Sequence, residues 1–185
     1  MDIKKGIKYI AIGFLFTLVN LNLTFSDVAI NFTPDFVGWI LFYLAFDKLG
    51  TYVEDKQYLK WTSLVLAIFY AVIWIFGIVK PDVNIDLLED IVSIVSVAYT
   101  FVLFGILEKI AHDHVPLKEK TLRVLKYINV IFYAAFLICG LITVYSKSEM
   151  MAVPTMVFGV ACLVAAVITC LTLFKLSKEI STKEI

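Results

Sequence analysis

Residues 150–174 read MMAVPTMVFGVACLVAAVITCLTLF, twenty-five positions without one charged side chain. A helix crosses a hydrocarbon core about 30 Å thick with about 20 apolar residues, so this run is long enough to span a bilayer unaided. Working back from it, uncharged windows recur at 127–146 (20 residues), 91–107 (17), 61–79 (19), 36–46 (11) and 9–26 (18). Only the window at 36–46 is too short to cross. Soluble domains average about 25% charged and about 45–50% apolar residues, whereas these 185 residues are 17% charged and 61% hydrophobic. A soluble chain of this length still exposes about 30% of its unfolded surface, and a mean hydropathy of +0.92 leaves too few polar residues to cover it. The expectation is an integral membrane protein.

Sixteen Lys and Arg balance sixteen Asp and Glu, so no basic face calls for nucleic acid. Cys139, Cys162 and Cys170 all fall in apolar windows without CxxC or Cys/His spacing, and they read as packing residues. No HExxH, GxSxG, P-loop or GxGxxG pattern occurs. No charge sits midway along windows one, three, four, five or six, where intramembrane chemistry usually places its working groups. Neither an enzyme, a metal site nor a cofactor is expected. Met1 to Lys8 ahead of an apolar run resembles a secretory signal, but no A-x-A-like cleavage site follows, so the first window is expected to stay as a helix.

The basic residues set the topology. Lys4, Lys5 and Lys8 precede window one; Lys48, Lys56 and Lys60 separate two from three; Lys109, Lys118, Lys120, Arg123 and Lys126 separate four from five; Lys175, Lys178 and Lys183 follow six. Only Lys80 and Lys147 lie on the other face, with seven acids, so the positive-inside rule places both termini in the cytoplasm. Windows one, three and five open with Lys beside Tyr or Trp, while two, four and six close with an acid followed by Lys48, Lys109 or a bare Lys175. Either three hairpins share an ancestor or Lys and aromatic residues simply anchor each helix at the interface. The expected fold is all-α: a polytopic membrane protein of six transmembrane helices in three hairpins, residues 1–185 forming one domain, its second helix short or preceded by a segment dipping into the membrane. Gly159, Cys162, Ala166 and Cys170 put small residues at helical spacing in the last helix, a packing face.

Two polar clusters have ordinary explanations. His112-Asp113-His114 reads as a solvated cytoplasmic loop bounded by Pro116, since residues two apart do not share a helix face. Asp86 and Glu89 have capping-box spacing, and with Asp90 they also favour the positive end of a helix dipole.

The short second window carries the functional signal. Thr33-Pro34-Asp35 is a helix start, with Thr at the N-cap, Pro at the first helical position and an acid in the first turn. From there the helix reaches Lys48 after 13 residues, about 20 Å, which is ~10 Å short of the hydrocarbon core. Residues 28–33 would then descend to meet it, and non-helical backbone at that depth must be buried in protein or line a wet cavity. Asn20 and Asn22 of helix one, Tyr70 and Trp74 of helix three, and Ser93 and Ser96 of helix four reach the same level. The alternative leaves Asp35 an ordinary cap on a helix running to Tyr52.

The stretches Asn20-Leu21-Asn22-Leu23 and Asn31-Phe32-Thr33-Pro34-Asp35-Phe36-Val37-Gly38-Trp39-Ile40-Leu41 resemble a pattern in small uncharacterised multipass membrane proteins of Gram-positive bacteria. The pattern runs Asn or Asp, Phe or Leu, Asn, and later Pro-Asp-Phe-Ile/Val-Gly-Tyr/Trp-Ile-Leu. The resemblance covers the first quarter of the chain, implies a bacterial plasma membrane and carries no activity; Asn31 joins the candidate ligand residues through it. In length, helix number and orientation the chain is also similar to the six-helix substrate-capturing subunits of energy-coupling-factor vitamin transporters, although its first helix lacks their Ala-x-x-x-Ala docking face and its eight glycines are few for them.

Two functional classes follow. In one, a polar or cationic small molecule enters from outside and meets Asp35, with Asn20, Asn22, Asn31, Ser93, Ser96, Tyr70 and Trp74 as its other contacts. In the other, the protein is an interaction or regulatory partner with no small ligand, and residues 111–126 meet another protein.

Overall fold

Inside a bilayer the backbone must satisfy its own N–H and C=O groups, so apolar windows of this length become helices. The computed structural model describes residues 2–18, 22–25, 28–31, 34–79, 85–146, 150 and 152–183. Helices account for nearly all of them: α1 (Ile3–Leu18), α2 (Asp35–Leu49), α3 (Gln57–Val79), α4 (Asp86–His114), α5 (Pro116–Ser146) and α6 (Ala152–Lys183). A 3-10 helix, Gly50–Lys56, joins α2 to α3, and an antiparallel ribbon, β1 (Asn22–Phe25) with β2 (Val28–Asn31), precedes α2. Four stretches of the described residues are long and apolar enough to cross a membrane, Asp35–Val79, Leu87–His114, Pro116–Thr143 and Val153–Ile180. The protein is membrane-embedded. Exposed Ile, Val, Leu and Phe on the outer faces of α3 to α6 suit contact with lipid.

Several element boundaries differ from the sequence reading. Helix one stops at Leu18 instead of running on to residue 26, because Leu23 to Phe25 and Val28 to Ile30 are β-formers that pair as strands, with Asn22 opposite Asn31. Helix two starts one residue later than expected, with Pro34 as its N-cap and Asp35 its first residue. It ends at Gly50, whose φ of 58° only glycine adopts freely. Ile85 occupies the N-cap of α4 and Asp86 is its first helical residue, one place later than the capping-box spacing expects. Residues 111–126 are not a loop: α4 runs to His114, Val115 alone links it to α5, and Pro116 opens α5, where its missing N–H costs nothing.

Each helix packs beside its sequence neighbour and α6 returns to α1, giving a ring of helices. Three hairpins are therefore an incomplete description, since α3 and α4 touch least of all the adjacent pairs. The tightest pairing is α1 with α2. A Cβ on Gly38 would lie 2.6 Å from the Gly13 carbonyl oxygen and 2.5 Å from Thr17 Cγ2, so only glycine permits this approach. Phe14, Trp39, Phe42, Tyr99 and Phe104 fill the ring's centre and are all buried. The small face of α6 does pack: Ala166 and Cys170 are buried, and Cys170 Sγ lies 3.3 Å from the Ala11 carbonyl on α1.

One end of the ring is charged and brings the start of α1 beside the C-terminal turns of α6. Asp2 N–H donates to the Lys48 carbonyl at 3.2 Å, Ser177 Oγ donates to the Lys4 carbonyl at 3.2 Å, and Lys118 pairs with Glu179 at 3.4 Å. Lys60 reaches Asp47 at 2.5 Å and Lys126 reaches Glu108 at 2.8 Å, each ammonium also lying 4.8 Å from an aromatic centroid, Tyr43 and Phe101. These anchors supply a common baseline for depth along the helices.

Candidate functional site

Asp35 stands 13 residues from Lys48, about 20 Å from the charged end. It belongs to a half-buried residue position whose Oδ1 is closed off and has no hydrogen-bond partner among the described residues. One turn along the same face, the Trp39 indole N–H is likewise buried without a partner, and so is the Tyr99 hydroxyl on α4. Three unpartnered buried polar groups in one region are uncommon, because each costs about 1–3 kcal/mol when left unsatisfied.

The rings below Asp35 explain how the helices hold these groups. Trp39 stacks on Tyr70 of α3 at 5.9 Å with an 8° interplanar angle, meets Tyr99 edge-on at 5.0 Å, and meets Phe42 edge-on at 5.3 Å. Phe36, next to Asp35, meets Trp74 edge-on at 5.7 Å. Aromatic faces carry negative electrostatic potential, so rings and carboxylate favour the same sign of ligand.

Hydroxyls complete the arrangement. Tyr70 and Ser96 share a hydrogen bond of 3.1 Å, and Ser96 also donates to the Val92 carbonyl at 2.8 Å. The Ser93 and Tyr133 hydroxyls lie in interaction range of Tyr70. Asp35 is in electrostatic range of Tyr70, Tyr133 and the carboxylate of Glu89.

Tyr70, Ser93 and Ser96 therefore meet through their hydroxyls with Asp35 in electrostatic range of Tyr70, while Trp74 packs on Phe36 beside Asp35. Asn20 lies outside the described residues. Asn22 pairs in register with Asn31 in the ribbon instead of continuing helix one to a level with Asp35. Trp39, Tyr99 and Tyr133 are not among the candidate site residues read from the sequence and Glu89 reads there only as a helix-capping acid, although Trp39 follows Asp35 by four residues, the spacing that puts both on one helix face.

The histidines occupy the charged end and do not converge. His112 Nδ1 is 2.8 Å from Glu119 Oε2, while His114 Nε2 is 3.2 Å from the Tyr52 hydroxyl. The Glu119 carboxylate, hydrogen-bonded to it and carrying opposite charge, raises the His112 pKa above its ordinary value. No group of three His, Cys, Asp or Glu suited to a metal occurs among the described residues. Set against protein-family models, curated proteins and solved structures, the chain matches none.

Proposed function

We propose that the chain is a six-span protein of the bacterial plasma membrane, both termini cytoplasmic, that binds or helps to move a small organic cation at Asp35. The observation that carries this reading is the buried, unpartnered Asp35 Oδ1 one turn above the Trp39, Tyr70 and Tyr99 rings. An ionised carboxylate in an apolar interior needs a counter-charge, and ionisable groups at membrane depth commonly mark ligand paths. An organic cation supplies the charge and lies against aromatic faces without requiring many hydrogen bonds. Six spans, with α1 and α2 short, and the cytoplasmic side of the charged end rest on fourteen of sixteen basic residues lying there. The bacterial membrane rests on the sequence pattern at 20–41.

The test is a titration of the purified protein in lipid nanodiscs with tetraethylammonium, read by tryptophan fluorescence. Wild type should respond saturably. Asp35→Asn, which keeps the shape and loses the charge, should weaken the response at least tenfold, about 1.4 kcal/mol, whereas Asp47→Asn at the charged end should not. An equal response from Asp35→Asn would sink the pocket and favour the interaction-protein reading.

A further inference from the structure

Helices α4 and α5 leave space between them on their outer side. A groove of about 520 Å³ runs there, and its lining side chains are all apolar, from Ile94 to Val102 on α4 and from Val130 to Leu141 on α5. At 1.5 Å per residue these stretches are about 12 and about 16 Å long. A hydrocarbon core is about 30 Å thick, so the groove has the depth of one leaflet. A membrane-crossing helix would need twice that length, whereas an acyl chain stays within its own leaflet. Val130 follows Lys126 by four residues, which sets the mouth of the groove at the charged end of the ring. The α5 wall is fixed from behind, where Asn129 donates to Thr169 Oγ1 on α6 at 2.9 Å.

The lining stripe leads into basic residues on both helices. On α5 the lining positions 141, 137, 134 and 130 step by three or four, and the same step continues through Tyr127, Arg123 and Lys120. On α4, Ala98 and Val102 lead by that step through Gly105 to Lys109. A Cβ on Gly105 would meet nothing within 4 Å, so the way to Lys109 is open. Phe101 stands at the mouth, its ring centroid 4.8 Å from Lys126 Nζ and 6.4 Å from the Tyr127 ring. Glu108 takes up the Lys126 charge, and Arg123 lies between Glu108 and Glu119 with about half its side chain exposed. Lys109 and Lys120 are exposed, and neither pairs with a carboxylate among the described residues. Across residues 108–126, five Lys and Arg face three Asp and Glu. Positive charge is in surplus at the mouth of an apolar groove.

We infer that the α4/α5 groove binds one anionic glycerophospholipid, an acyl chain lying past Phe101, Ala98 and Ala134 and the phosphate meeting Lys109, Lys120 and the outer donors of Arg123. Basic pockets between membrane helices hold anionic headgroups in this way, and a guanidinium keeps donors to spare when a carboxylate occupies one edge. The two halves of the site divide the work. Apolar walls hold a chain whatever its headgroup, and the surplus charge at the mouth selects a headgroup with a net negative charge. Asp35 takes no part, so this site and the cation site stand or fall separately.

The full chain, purified in dodecyl maltoside, is titrated with dioleoyl phosphatidylglycerol or dioleoyl phosphatidylcholine, and native mass spectrometry counts the lipid retained. Wild type should keep one phosphatidylglycerol, bound at least tenfold more tightly than phosphatidylcholine. Lys109→Gln combined with Lys120→Gln should cut that preference at least fivefold, while Lys8→Gln, an exposed lysine of α1, should leave it unchanged. Ala98→Phe puts a ring into the groove from an exposed position and should weaken retention of both lipids at least fivefold. Ile138→Trp, exposed on the opposite wall, is a second plug should the first lower the melting point. Equal retention of the two lipids by wild type, or an unchanged preference in the double lysine variant, overturns the headgroup contact. Undiminished retention in both plugged variants overturns the groove. A wild-type dimer that the plugs split, with no lipid retained, gives the groove to a second copy of this chain and also overturns the site.

Discussion

Asp35 makes opposite demands on stability and on binding. Burying a carboxylate without a partner costs free energy, so a residue retained only as a helix cap should be replaceable at a loss of about 1 kcal/mol. If it is instead the ligand's counter-charge, removing it relieves the fold: Asp35→Leu should raise the thermal midpoint in detergent, by the equivalent of about 1–3 kcal/mol, while abolishing tetraethylammonium binding. A lowered midpoint would mean that the carboxylate has a structural partner. His112 is the contrasting case, an exposed side chain paired with Glu119. Its raised pKa means that the pair contributes below the unfolded histidine value, about 6.5, and fades as pH rises through the folded value. Exposure screens the pair, so melts of His112→Ala and wild type should coincide at pH 8 and differ only slightly at pH 5.5. Asp35 was legible from arithmetic on Lys48, whereas the Asn129–Thr169 bond was not, since contacts between residues forty positions apart leave no local periodicity.

At the scale of elements, the α1/α2 crossing is the most exacting contact. Gly38→Ala drives a methyl group into Thr17 Cγ2 and the Gly13 carbonyl, and overpacking of this kind costs about 1–3 kcal/mol. Gly140→Ala, with nothing within 4 Å of the new Cβ, should be neutral or stabilising by up to about 1 kcal/mol. Melting both variants in the same detergent makes the comparison, and equal midpoints would contradict the close approach. Helices α3 to α5 enclose their uncharged windows whole because charges mark both ends of each window. The end of α1 was illegible for the converse reason. Leu21 to Phe25 continues its uncharged run, and the apolar-polar alternation there, a strand signal, lasts only five residues.

For the whole molecule, the charge count fixes a testable orientation. With the three native cysteines removed, single cysteines at Lys118 and Asp82 should differ in intact cells toward an impermeant thiol reagent, with position 82 labelled and 118 protected. The reverse pattern would invert the assignment. Ring order was beyond the sequence, since helix-to-helix contacts depend on which faces meet, and faces that are apolar all round do not declare a partner. Because α6 closes on α1 through Cys170 to Ala11 and Ser177 to Lys4, α1 finds its second neighbour only when α6, made well after it, is delivered. Until then one flank of α1 stays open to any insertase, chaperone or protease in the membrane. A chain stopped before Ala152 should therefore be cleared by quality control far faster than the full chain, and supplying α6 as a separate peptide should slow its loss.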